Sequence, residues 1–120
     1  MKLLDTDVLI GMLRERRYEP GAISIITLLE VLRGLGEGKR ENVKRLLEES
    51  FRVEGLDNEI VQTYCSLYRK LREEGTSLPD ADLLIAATAM ARKMVLKTGD
   101  EHFEKLKELG LKLEKASHRL

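Results

Sequence analysis

The fold of this chain is constrained above all by an alternation of short apolar runs with longer amphipathic ones. Lys2–Leu4, Ala22–Ser24, Phe51–Leu56, Met94–Lys97 and Leu111–Leu113 read as strands. Between them, Val8–Arg17, Ile25–Leu35, Lys39–Glu49, a long stretch from Asp57 or Asn58 to Gly75, Asp82–Met90 and Glu101–Leu109 read as helices. Strands separated by helices pair in parallel, and the helices then cover both faces of the sheet. The expected fold is therefore α/β: a three-layer α/β/α domain with a central parallel sheet. A chain of 120 residues has room for one domain, 1–120, and Lys115–Leu120 reads as a polar tail that frays.

Local signals place the boundaries. Glu19-Pro20-Gly21 stops the first helix, the second runs into Gly34, Gly36 and Gly38, and Gly110 stops the last. Asp57 or Asn58 caps the long helix, whose Ile60, Val61, Tyr64, Leu67, Tyr68 and Leu71 recur at helical spacing. Asp82–Met90 is apolar almost all round and should be the most buried helix, with Asp80 as its cap.

Composition removes several classes. No apolar run approaches the ~18 residues of a membrane span, and Asp5 interrupts the position of a secretory core; a cytoplasmic protein is expected. One cysteine, Cys65, excludes an intrachain disulfide framework and a thiolate zinc site. With no basic cluster beside it, Cys65 reads as a packing residue rather than a nucleophile. The 21 basic and 21 acidic residues cancel, so any polyanion site has to be a local patch. Amides are scarce (Asn42, Asn58, Gln62) while Lys, Arg and Glu abound, a balance that fits a thermophile.

Four acids stand where a parallel sheet forms its sites, near the carboxyl ends of strands. Asp5 closes the first strand, Glu30 lies in the second helix, Asp82 opens the buried helix and Asp100 follows the fourth strand. Gathered in one crevice they would repel and hold protons unless a cation sat among them. Oxygen donors without cysteine or paired histidine select Mg²⁺ or Mn²⁺, which serves phosphodiester hydrolysis. Each acid also has a structural reading. Asp5 can cap a helix, Asp82 suits a helix's first turn, Asp100 is a turn residue, and Glu30 can be an exposed glutamate near Arg33. For Glu30, the small neighbours Thr27 and Gly34 leave space for a metal or phosphate. His102 and His118 lack ligand-spaced partners and read as non-catalytic.

The wording of the motifs adds to their spacing. Leu4-Asp5-Thr6-Asp7-Val8-Leu9-Ile10, Ser24-Ile25-Ile26-Thr27-Leu28-Leu29-Glu30, Asp82-Leu83-Leu84-Ile85-Ala86-Ala87-Thr88-Ala89 and Thr98-Gly99-Asp100-Glu101-His102-Phe103 closely resemble the PIN-domain family, and within it the VapC-type toxins. The resemblance extends to about Leu113, and its most specific piece is the Asp82 segment. It implies a Mg²⁺- or Mn²⁺-dependent endoribonuclease acting on single-stranded RNA, with Asp5, Glu30, Asp82 and Asp100 as the acidic quartet. It further implies that Asp5, Asp82 and Asp100 hold the metal, Glu30 completes the coordination or orients water, and Thr98 accompanies the fourth acid. A homodimer and a small VapB-like antitoxin partner are implied too. Asp7 stands where relatives often carry Asn, and its role is open. Arg14, Arg16, Arg17, Arg33, Lys39 and Arg40 are candidates to steer RNA by its phosphates.

Two other classes share features with the chain. A receiver-type signalling domain would use Asp57 and Lys97, and a haloacid-dehalogenase-like phosphatase would use Asp5 and Asp7. Both leave the Glu30 and Asp82 motifs without a role.

Overall fold

Successive residues of a strand face opposite ways, and here each apolar pair splits between two cores. The computed structural model describes residues 1–116. In β1 (Lys2–Leu4), Leu3 enters one core and Leu4 the other, and in β2 (Ala22–Ser24) Ala22 and Ile23 divide likewise. β3 (Arg52–Glu54), β4 (Val95–Thr98) and β5 (Leu113–Lys115) complete a parallel sheet of order β3-β2-β1-β4-β5. Leu4 and Ile23 pack with α1 (Thr6–Glu15), α2 (Ile25–Leu32) and α3 (Glu37–Ser50) through Leu9, Leu28 and Leu47. Leu3 and Ala22 pack with α4 (Asn58–Glu73), α5 (Asp80–Ala91) and a 3₁₀ helix (Glu101–Leu109) through Ile60, Ile85 and Phe103. The architecture is the expected three-layer α/β/α. Among the described residues, no helix is long and apolar enough to cross a membrane.

Boundaries differ from expectation where local chemistry intervenes. Asp5 accepts the Thr6 N–H and starts α1 earlier than Val8, and α1 ends at Arg16, which turns left-handed at φ 54°. Gly34 and Gly36 shorten α2 to Leu32. The expected cap Asp80 lies inside the first turn of α5, Pro79 takes the cap position, and the Asp80 carboxylate accepts instead from the Tyr64 hydroxyl at 2.6 Å. Gly110 closes the 3₁₀ helix at φ 109°, a conformation that disfavours a side chain, and displaces the last strand to Leu113–Lys115. Lys115 thus belongs to the sheet rather than to a frayed tail; the rest of that segment, from residue 117 and including His118, lies outside the described residues.

On α4 the buried line is Ile60, Leu67 and Leu71, while Val61 and Tyr68 face solvent. Cys65 stands on this exposed side, so the packing role expected of it does not hold. At the far end of α5, Arg92 pairs with the buried Glu54 (3.4 Å), with Glu59 (3.0 Å) and with Asp57, which also caps α4 through the Ile60 N–H. This guanidinium ties β3, α4 and α5 together. Arg92→Ala leaves the Glu54 carboxylate with Arg52 alone, and thermal unfolding should show a melting temperature several degrees lower. Arg92→Lys, unable to reproduce the forked contact, should recover only part of the loss.

Candidate active site

In an order of β3-β2-β1-β4-β5, the connections leave β1 and β4 in opposite directions, which opens a crevice at their carboxyl ends. Asp5 stands at the end of β1. Its carboxylate accepts the Thr6 N–H at 2.8 Å and the Thr98 hydroxyl at 2.6 Å, and the residue is 5% exposed. Burial pushes its pKa up to about 7, the nearby Asp7 charge adds to the rise, and the Thr98 and Thr6 hydrogen bonds oppose it.

Thr98, the last residue of β4, works in two directions. Its hydroxyl donates to Asp5 and accepts the Asp100 N–H at 3.0 Å, so one buried side chain fixes two acids. Asp100 then caps the 3₁₀ helix through the His102 N–H, and His102 Nδ1 lies 2.9 Å from the same carboxylate. Asp7 accepts the Gly99 N–H at 3.2 Å and clips this loop to α1.

Asp82 projects from the first turn of α5. Its pKa is raised first by burial, then by the charges of Asp100 and Glu30, and in smaller part by Asp7; His102 acts in the opposite sense. Glu30 reaches the crevice from α2, half-buried, with its Oε1 accepting the Thr6 hydroxyl at 2.8 Å. Thr6 has one hydroxyl proton and spends it on Glu30, so at the 3.0 Å contact between the two threonines the fully buried Thr27 donates to Thr6. Arg33 Nη2 stands 4.0 Å from Glu30.

The structure therefore brings Asp5, Glu30, Asp82 and Asp100 to one crevice, with Thr98 between two of them. Sequence reasoning missed Thr6, for nothing in the spacing links residue 6 to residue 30, and it read Thr27 only as a small neighbour of Glu30, whereas its buried hydroxyl bonds Thr6. It also set His102 aside, and the structure places that ring against Asp100. Arg14, Arg16, Arg17, Lys39 and Arg40 are solvent-exposed, and so is Arg33 beside Glu30. Asp57 and Lys97, the residues a receiver domain would need, are engaged elsewhere: Asp57 as cap and Arg92 partner, Lys97 with Glu19 at 2.8 Å.

The donor set fits a hard divalent cation. All the acids offer oxygen, and two of them carry pKa values raised first by burial and then by neighbouring carboxylates. Among the described residues no three acids are already gathered closely enough to form a cage. An ion held by these acids would therefore take only part of its coordination from protein and keep several waters.

An acid-lined crevice at the centre of a five-stranded parallel sheet defines a class, and sequence comparison names it. The family model described as PIN domain matches residues 2–109, and the chain belongs to that family. It is 44% identical over 115 residues to Ribonuclease VapC1 of Methanocaldococcus jannaschii, covering 92% of this chain and 85% of that one. Its fold matches VapBC-1 from nontypeable Haemophilus influenzae with a TM-score of 0.79 at 22% identity, over 95% of this chain and 96% of the other. A toxin–antitoxin complex from Klebsiella pneumoniae matches with a TM-score of 0.69 at 26% identity, over 86% and 90%. Metal dependence is general among the PIN-domain ribonucleases named VapC. Membership of this family displaces the receiver-type and dehalogenase-like readings.

Proposed function

We propose that this protein is a Mg²⁺-dependent endoribonuclease and the toxin of a VapBC-type pair, with Asp5, Glu30, Asp82 and Asp100 as its catalytic acids. The observation that carries this reading is that the charges of Asp100 and Glu30 bear on Asp82 while the Thr98 hydroxyl ties Asp5 to the loop of Asp100, in a chain 44% identical to a named ribonuclease. Asp5, Asp82 and Asp100 would hold the cation. When bound, it supplies Lewis acidity toward a phosphate oxygen and toward water.

The chain's own groups do the rest. Thr98 keeps Asp5 and Asp100 in fixed relation through its hydroxyl. Glu30, oriented by Thr6, accepts a hydrogen bond from the attacking water and aligns it with the scissile phosphate. The exposed arginines, with Lys39, contribute phosphate contacts that position RNA without reading its sequence.

A VapB-like antitoxin is the expected protein partner, as the toxin–antitoxin complex with the same fold suggests. A homodimer is the expected assembly, and the cytoplasm the expected compartment. The purified chain should cleave single-stranded RNA with added Mg²⁺, lose that activity in EDTA, and lose it again on addition of the product of an adjacent small antitoxin gene. Intact RNA at every metal concentration would overturn the reading.

A further inference from the structure

A cavity of about 440 Å³ opens along α1, next to the acids but separate from them. Asp7 belongs to both: it holds the loop that carries Asp100 and also lines the cavity. Whatever fills this space therefore lies against a residue that also holds the Asp100 loop. The volume lies within the range of ~300–1,000 Å³ typical of small-molecule sites.

Three features indicate the kind of occupant. Met12 and Gly11 form part of the wall, and Gly11 sits in the interior of a helix, where glycine is destabilising relative to alanine. Among the described residues, a Cβ built on Gly11 meets nothing within 4 Å, so their packing does not require the glycine. A side chain there would instead project into open space beside the cavity. At the end of α1, the left-handed turn at Arg16 brings Arg17 and Tyr18 back over the rim. Tyr18 is 56% exposed, and among the described residues its hydroxyl, the Arg17 guanidinium and the Glu15 carboxylate have no hydrogen-bond or ion-pair partner. In the wall Glu19 and Lys97 are paired to each other, and Asp7 is held by the Gly99 N–H. The groups left are a flat ring, a cation and a carboxylate, which suit a nucleotide: a face to stack on, a phosphate to contact, and an amino group to accept from.

We propose that this cavity binds the nucleobase adjoining the cleaved phosphodiester, with Tyr18 stacking on it, Arg17 contacting its phosphate and Glu15 selecting an amino-bearing base over uracil. The proposal rests on the ribonuclease reading and adds a specificity subsite to it. The test uses one oligoribonucleotide cleaved at a mapped bond, with cytosine, adenine, uracil or an abasic residue on either side of that bond. For the wild-type chain with Mg²⁺, removing the base on one side should raise KM about 5- to 100-fold, the range that base–aromatic stacking supplies. Tyr18→Ala and Gly11→Leu should raise KM similarly on base-bearing RNA and have little further effect on the abasic strand. Glu15→Gln should narrow the preference against uracil. Tyr18 lies at the surface, so its variant stays informative even where Gly11→Leu perturbs α1.

Equal cleavage of abasic and base-bearing RNA overturns the subsite and leaves the ribonuclease reading standing. Absence of any metal-dependent cleavage overturns both. Unchanged RNA kinetics in Tyr18→Ala and Gly11→Leu, with weakened inhibition by the antitoxin, reassigns the cavity to the protein partner and overturns the proposal.

Discussion

Asp5→Asn should abolish Mg²⁺-dependent RNA cleavage while the protein stays folded. A group that merely orients a metal ligand costs 10–100-fold when removed, so loss of a ligand charge should exceed about 100-fold in kcat/KM. The shape of the site survives, because the asparagine carbonyl oxygen can still accept the Thr6 N–H and its amide can donate to the Thr98 hydroxyl, which turns its own proton away. What disappears is the charge.

That charge also governs stability. In the folded chain the Asp5 pKa is raised from 3.8 to about 7, so the folded state binds the proton more tightly than the unfolded one. The stability contributed by that proton is full below pH 3.8 and is lost as the pH rises through about 7. Metal-free wild type should therefore lose stability across this window, by something on the order of a few kcal/mol. Asp5→Asn should lose the Asp5 share of this pH dependence, keeping that of Asp82, and melt no lower than wild type at pH 8. Added Mg²⁺ should reverse the order: at about 100 times its dissociation constant it stabilises the wild type by roughly 2.7 kcal/mol and leaves the variant nearly unmoved. Undiminished cleavage by Asp5→Asn would sink the assignment, and identical Mg²⁺-induced shifts in both proteins would remove Asp5 from the metal site.

The second large effect is expected from a residue without charge. Thr6→Val strips Glu30 of its hydrogen-bond donor and isolates the Thr27 hydroxyl beneath it. Activity should fall about 10- to 100-fold, chiefly in kcat, since Glu30 acts on water rather than on RNA binding. Thr6→Ser should restore most of the rate. Thr27→Val should cost less, because Thr6 can still donate to Glu30. A uniform rise in KM across the three variants would instead mark the threonines as part of the RNA contact surface.

Much of this arrangement is legible in the sequence, because strand and helix announce themselves by different periods. Leu3 and Leu4, or Ala22 and Ile23, point to opposite sides of a covered sheet, and such pairs are enough to require helices on both faces. Asp5, Asp82 and Asp100 follow from that architecture, since each lies at an element boundary where a parallel sheet forms its crevice. Glu30 is different: it sits mid-helix, and its place depends on a partner 24 positions earlier. Pairing across that distance has no periodic signal. The same limit explains Asp80, a cap by local rule that was drawn into a bond with Tyr64 from another helix. It also explains Cys65, whose helical spacing fits a buried stripe that α4 turns away from the core.

The contact between Thr98 and Asp5 joins residues 93 apart. A growing polypeptide that has passed α5 already contains three of the four acids, yet β1 has only β2 beside it and Asp5 has no hydroxyl to hold it. Insertion of β4 against β1 is the event that assembles the crevice, and it waits until α5 has been made. A chain interrupted before β4 would carry three of the acids but lack the strand and the hydroxyl that hold Asp5. Activity and completed folding become a single event, so RNA cleavage can itself report that the central strands have closed.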